Sequence, residues 1–206
     1  MKKVHYYSGV FLSLFIILHF TNHLFALVSP AKHIMVMDTI RPLYRNILIE
    51  PLLFLSCLVQ IVAGLNLAKH QRKNLVDPFD RLHLYSGLYL AFFLLIHPTA
   101  ILVGRYVLKV DTSFWYGAMG LNIFPFTLFF VPYYFLGVFA FFAHLACIHR
   151  KRVTELQWSV NPDRSAKIIL GAGFVIGLLI LAGLTGFFQG LEVPDAYQEL
   201  LPKFSE

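Results

Sequence analysis

Five long apolar runs, separated by short polar clusters, organise the chain. They extend from Val4 to Val28, Asn46 to His70, Leu82 to Leu108, Phe124 to Ile148 and Ala166 to Phe188. Each is long enough for a helix of roughly 20 residues, about 30 Å at 1.5 Å per residue, to cross a bilayer. The pattern therefore predicts an all-α integral membrane protein with five transmembrane helices in one domain spanning residues 1–206. The first run follows Met1-Lys2-Lys3 like a signal peptide. It is nevertheless long, contains His19 and His23 and lacks a small-residue cleavage pattern, so it is read as a retained first helix. Between the first two runs, Ser29-Pro30 opens a stretch with Ile34, Met35, Met37 and Ile40 among polar residues, which predicts a short helix lying along the membrane interface. The tail from Leu191 to Glu206 is expected on the outer surface.

Composition agrees with this pattern. Hydrophobic residues make up 58% of the chain, well beyond the share in a soluble domain. The net charge of +6 does not point to nucleic acid, because the cations sit in clusters between spans. Lys2, Lys3, Lys69, Arg72, Lys73, Arg81, Arg150, Lys151, Arg152 and Arg164 gather at one end of the predicted bundle. The excess of positive charge on cytoplasmic loops predicts a cytoplasmic N-terminus, in a multi-pass protein of the cell inner (cytoplasmic) membrane. Lys32, Arg41, Arg45, Arg105 and Lys109 lie at the opposite end. Cys57 and Cys147 fall inside apolar runs without a CxxC spacing and read as packing residues. The 16% aromatic content, with Trp115, Tyr116, Tyr133 and Tyr134 toward one interface and Trp158 toward the other, fits interfacial belts.

An internal repeat brings in candidate chemistry. His5 through His19 aligns with His83 through His97, and seven of fifteen positions are identical: His, Tyr, Ser, Gly, Leu, Phe and His. The first and third helices are thus two copies of one unit, and His19 and His97 are expected at a common depth. Paired imidazoles at matched height are what a bis-histidine b-type haem needs for its axial ligands. Intramembrane ionisable groups are costly and usually functional, although a histidine can also serve simply by bonding a neighbouring carbonyl. His23, one turn beyond His19, is the alternative ligand on the first helix. His5, His70, His83 and His144 form a second layer toward the basic end and are candidate ligands for a second haem. The fourteen-residue steps from His5 to His19 and from His83 to His97 span about 21 Å and keep each pair on one helix face. Glu50, near the depth of His23 and His97, is a candidate proton acceptor from a quinol, or else the ion-pair partner of Arg45 or Arg105. Arg41, Arg45 and Arg105 are candidate partners for haem propionates.

On these residues the chain resembles the cytochrome b membrane-anchor subunit of succinate dehydrogenase and quinol:fumarate reductase, in its single-chain, five-helix, dihaem form. The likeness rests on His5, Gly9 and His19, on the segment from Lys32 to Arg45 leading into Glu50, on Gly87 to His97, and on Gly137 with His144. It implies a four-helix haem-binding core plus a fifth helix, with His19 and His97 as one ligand pair. It also implies a second pair from His144 and a residue near Gln60, where this sequence carries glutamine instead of the family's histidine. The implied role is electron transfer between menaquinone or another quinone and a cytoplasmic-face partner, an iron–sulfur subunit joined to a flavoprotein subunit. The chain has no nucleotide-binding fingerprint or cysteine cluster, so catalysis by that partner would lie on another polypeptide. The competing expectations are an accessory subunit of a larger assembly, with or without a structural haem, and a bundle without any cofactor.

Overall fold

The computed structural model describes residues 1–72, 75–155, 159–188 and 190–201. Lys73 and Trp158, and the predicted tail beyond Leu201, lie outside the described residues. Among those described there is no strand, and five helices are long and apolar enough to cross a membrane. The architecture is that of a multi-pass membrane protein.

The first span is α1, Lys2–Leu24, prolonged by a 3-10 turn, Phe25–Leu27. Next comes the predicted interfacial helix α2, Pro30–Tyr44. Ser29 caps it by accepting the Lys32 backbone N–H at 3.0 Å, and Pro30 occupies the first turn, where a missing N–H costs nothing. The second span is α3, Ile49–Gln71. The third, α4, Pro78–Leu102, starts four residues before the first apolar position predicted for it, because Asp77 and Asp80 form a reciprocal capping box around Pro78. It continues as a π turn, Val103–Val107, in which the Leu108 N–H bonds the Val103 carbonyl at 2.9 Å.

A short helix that the apolar pattern does not predict, α5, Phe114–Asn122, follows. The fourth span, α6, Thr127–Glu155, runs seven residues past the predicted Ile148. Charge ends the membrane-compatible stretch there but does not end the helix, and Glu155 pairs with Lys151 and Arg152 on the same surface. The fifth, α7, Pro162–Leu184, begins at the Asn161 cap and ends before Gly186, whose φ of +60° suits glycine. A last turn, α8, Asp195–Gln198, lies in the tail.

Packing follows an ordered ring. Neighbouring pairs are α1 with α3, α3 with α4, α4 with α6, and α6 with α7, and α7 reaches back to α1 at the 3-10 turn. The duplicated helices α1 and α4 are therefore not packing neighbours but face each other across the bundle. Helices α2 and α5 close one end, here called the roofed end. Under them lies a core of Ala26, Phe114, Ala118, Leu121, Val138, Ile180 and Leu184. The other end carries Lys2, Lys3, Lys69, Arg72, Arg81, Lys151, Arg152 and Arg164, and is called the basic end.

Candidate haem-ligand site

Two layers of histidines occupy the bundle. In the layer nearer the roof, the rings of His19 on α1 and His97 on α4 lie 6.1 Å apart between centres, with planes at 61°. The repeat controls how each ring is held. His19 stacks on Phe15 at 5.5 Å and 22°, and His97 stacks on Phe93 at 5.0 Å and 18°. Phe15 and Phe93 are equivalent positions of the duplicated segment, four residues before each histidine, where a helix brings side chains to one face. Phe93 also fits the notch at Gly137 of α6, where a Cβ would approach its ring to 2.5 Å. Tyr134 closes the side of His97, edge-on at 6.0 Å.

His23 lies one turn above His19, with its Nε2 3.1 Å from His19 Nε2. Its other nitrogen, Nδ1, lies 3.2 Å from Nε2 of His33, a residue of α2. The amide Nδ2 of Asn22 donates to the same His33 Nε2 at 3.1 Å. Asn22 and His33 are only 4% and 2% exposed, and His33 meets the edge of the Phe114 ring at 5.2 Å. Burial pushes the His33 imidazole down to about 4. Neither residue stands out in the sequence. The available signal is the i, i+4 spacing of His33 and Met37, both of which α2 turns inward.

At the same end Glu50, in the first turn of α3, forms an ion pair with Arg105 from the π turn. Arg105 also donates from Nε to Thr112 Oγ1 at 3.3 Å. Arg41 binds Asp38 and Asp111 at 3.4 and 3.3 Å. Arg45 has no ion pair among the described residues. All three guanidinium groups act on Tyr44, whose hydroxyl is raised by burial against their opposing pull. The Tyr44 ring touches Phe15, so this cationic group stands beside His19.

The layer nearer the basic end is arranged differently. His83 and His144 lie 4.4 Å apart between ring centres, at 35°. His144 Nδ1 is 3.4 Å from Ser86 Oγ, and Gln71 donates to His83 Nδ1 at 3.3 Å. His5 packs at Gly64, and its Nδ1 is buried without a hydrogen-bond partner. His70 is exposed and its Nδ1 bonds the carbonyl of Asn66 in its own turn at 2.8 Å, which keeps it out of this layer. Gln60 donates to the His5 carbonyl at 2.6 Å and to Ser8 Oγ at 2.7 Å.

Geometry separates the layers as ligand sets. Two imidazoles on opposite faces of one metal, each bonded at about 2 Å, have ring centres about 6 Å apart. The His19–His97 separation fits that requirement, and the 4.4 Å between His83 and His144 is too short for it. His97 has no hydrogen bond to either ring nitrogen among the described residues, while His19 has its Nε2 engaged by His23 and its Nδ1 without a hydrogen bond. His23, the alternative ligand, has both nitrogens engaged. Among the described residues no three His, Cys, Asp or Glu side chains are grouped around a metal position. A haem brings its own equatorial nitrogens and asks the protein only for an axial pair. No protein-family model, curated protein or solved structure matches the chain.

Proposed function

We propose that this chain is the b-type cytochrome anchor of a membrane quinone oxidoreductase, holding one haem between His19 and His97. The observation that carries this reading is the 6.1 Å approach of two imidazoles from duplicated helices that are otherwise not neighbours. A haem bound there supplies one-electron transfer within the membrane. The chain's own residues do the rest. Phe15 and Phe93 fix the ring planes, and Gly137 admits Phe93. Arg41, Arg45 and Arg105 offer cations beside the site for carboxylates of the cofactor. Glu50, held by Arg105, is placed to exchange a proton with a menaquinone-like quinol at the roofed end. The geometry supports a single haem, because the layer of His83 and His144 lacks the spacing for a second.

The basic end is proposed to face the cytoplasm and to receive an iron–sulfur subunit joined to a flavoprotein subunit. Its exposed Lys2, Lys3, Lys69, Arg72, Lys151, Arg152 and Arg164 favour an acidic partner surface. A dithionite-reduced spectrum of the purified protein tests the reading directly. It should show the sharp visible α-band of bis-histidine haem, and His19→Ala and His97→Ala should each abolish it. A wild-type protein without the band would overturn the assignment.

A further inference from the structure

The two ring nitrogens of His19 differ in what they can reach. Nδ1 adjoins the ring carbon that carries Cβ and is set back toward its own helix, whereas Nε2 lies at the far edge of the ring. A metal held between α1 and α4 is therefore met by Nε2. That nitrogen is engaged in the structure, because His23 Nε2 lies 3.1 Å from it. Each nitrogen of a neutral imidazole carries either one hydrogen or one lone pair. Whichever ring donates, the bond to His23 occupies the position on His19 Nε2 that a metal needs, so the bond and ligation exclude each other.

Local geometry builds this contact. His23 stands four residues after His19, so the helix brings both rings to one face, where they meet edge to face at 4.4 Å and 80°. Its Nδ1 lies 3.2 Å from Nε2 of His33, a residue of α2 that is only 2% exposed. The His23 ring is thus held from two sides, by the histidine that it blocks and by the roof. The repeat does not carry the device twice. The position four residues after His97 is Ile101, which has no group to bond a nitrogen.

We infer that His23 is a latch on the site: it competes with the metal for His19 Nε2, and the haem pair is completed only when the His19–His23 bond opens. This rests on the haem reading above. The apparent affinity of a ligand falls in proportion to the fraction of protein in the competent form, and an intramembrane hydrogen bond of ordinary strength holds that fraction to roughly a quarter to a twentieth. Removing the latch should therefore tighten haem binding by about 4- to 20-fold.

The test titrates haemin into full-length protein purified from haem-deficient cells and reads optical and electron paramagnetic resonance spectra. Leucine offers His19 Nε2 nothing, so His23→Leu should bind haem more tightly than wild type by the factor above and stay low-spin. Glutamine still reaches His19 with an amide, so His23→Gln should remain close to wild type. In a His19→Ala background the same leucine should leave residual haem uptake unchanged, which separates competition at His19 from a general effect on packing. Equal affinity in wild type and His23→Leu, a gain that persists without His19, or loss of haem from a folded His23→Leu protein would each overturn the inference, the last by making His23 the ligand. Should the leucine variant fail to accumulate, wild type labelled with 15N-histidine carries the test. A nitrogen–nitrogen correlation between His19 and His23 should be present before haem is added and absent once reduced haem is bound. Its absence before, or its persistence after, would likewise refute the latch. If neither wild type nor any variant takes up haem, the haem reading itself fails, so the two failures are distinguishable.

Discussion

Gln60 donates a 2.7 Å hydrogen bond to Ser8, and the counterpart of Ser8 in the repeat, Ser86, is met by His144 at 3.4 Å. The Ser-Gly pair of each repeat thus receives one polar side chain from the helix packed against it. The adjoining glycines complete the match: a Cβ on Gly9 would come within 3.3 Å of Gln60, and one on Gly87 within 3.2 Å of His144. Gln60 is therefore the partner of the first repeat in the place that His144 takes in the second. Replacing it with leucine removes its bonds to both Ser8 and the His5 carbonyl. Intramembrane hydrogen bonds contribute about 0.6 to 1.7 kcal/mol each, so Gln60→Leu should destabilise the α1–α3 pair by about 1 to 2 kcal/mol. Reversible unfolding in mixed micelles measures this, and an unchanged midpoint would show that the bonds contribute no net stability.

Phe93 depends on the absence of a side chain at residue 137. Gly137→Ala places a methyl against its ring, and overpacking of this kind costs about 1 to 3 kcal/mol. Because Phe93 stacks on His97, the variant should also weaken retention of the haem proposed to lie between His19 and His97. Gly171, where an added methyl would meet nothing within 4 Å, is the matched control, and Gly171→Ala should leave both properties unchanged.

His33 gives the roofed end a dependence on acid. Its imidazole is held neutral to about 4 in the folded protein, against an ordinary value of about 6.5 once unfolded. Between those values the unfolded chain binds more protons, so stability rises with pH in this window and is lost as pH falls from about 6.5 toward 4. The slope approaches about 1.4 kcal/mol per pH unit for a single group. Thermal unfolding followed from about pH 7.5 down to about pH 5, across the upper part of that window, should show a steeper loss in wild type than in His33→Gln. Parallel profiles would mean that His33 is not the group responsible.

Arg150 ties together three elements at the basic end. It pairs with Asp77, which caps α4, at 2.9 Å and with Asp163 of the first turn of α7 at 2.6 Å, while its guanidinium lies 4.5 Å above the Phe79 ring. Each contact is partly solvated, so Arg150→Met should cost only about 1 kcal/mol in global stability. Its larger effect should be local, as faster proteolytic cutting of the loop between α3 and α4, with the spectrum of the proposed haem site at the roofed end unaltered. An equally protected loop would show that Arg150 does not restrain it.

Much of this architecture is legible in the chain itself. Apolar run length determines the spans, and the duplication of His5 to His19 in His83 to His97 anticipates that two distant rings meet. The ends are less legible, because charged residues such as Arg150 and Arg152 leave the membrane without leaving the helix. Helix α5 escapes the pattern because Phe114 to Leu121 is short and carries glycines at 117 and 120, and its order comes from packing on the core of Ala26, Val138, Ile180 and Leu184 beneath it. Asn22 and His33 escape it for a related reason: eleven residues apart, they meet only because the chain turns back at Ser29 and lays α2 over the end of α1.

The π turn at Val103–Val107 has a consequence of phase. Relative to ordinary α winding it accommodates one surplus residue, and one residue corresponds to about 100° of rotation about the axis. If the turn rewound as ordinary α with every residue kept, the following segment would swing round by about a quarter of a circle. Asp111, now within reach of Arg41 and bonded through its carbonyl to Tyr197, would then point elsewhere. Rewinding this turn would thus unfasten the roof from the helix beneath it, although it removes none of the groups that make the fastening, and deleting the surplus residue would keep the fastening in phase.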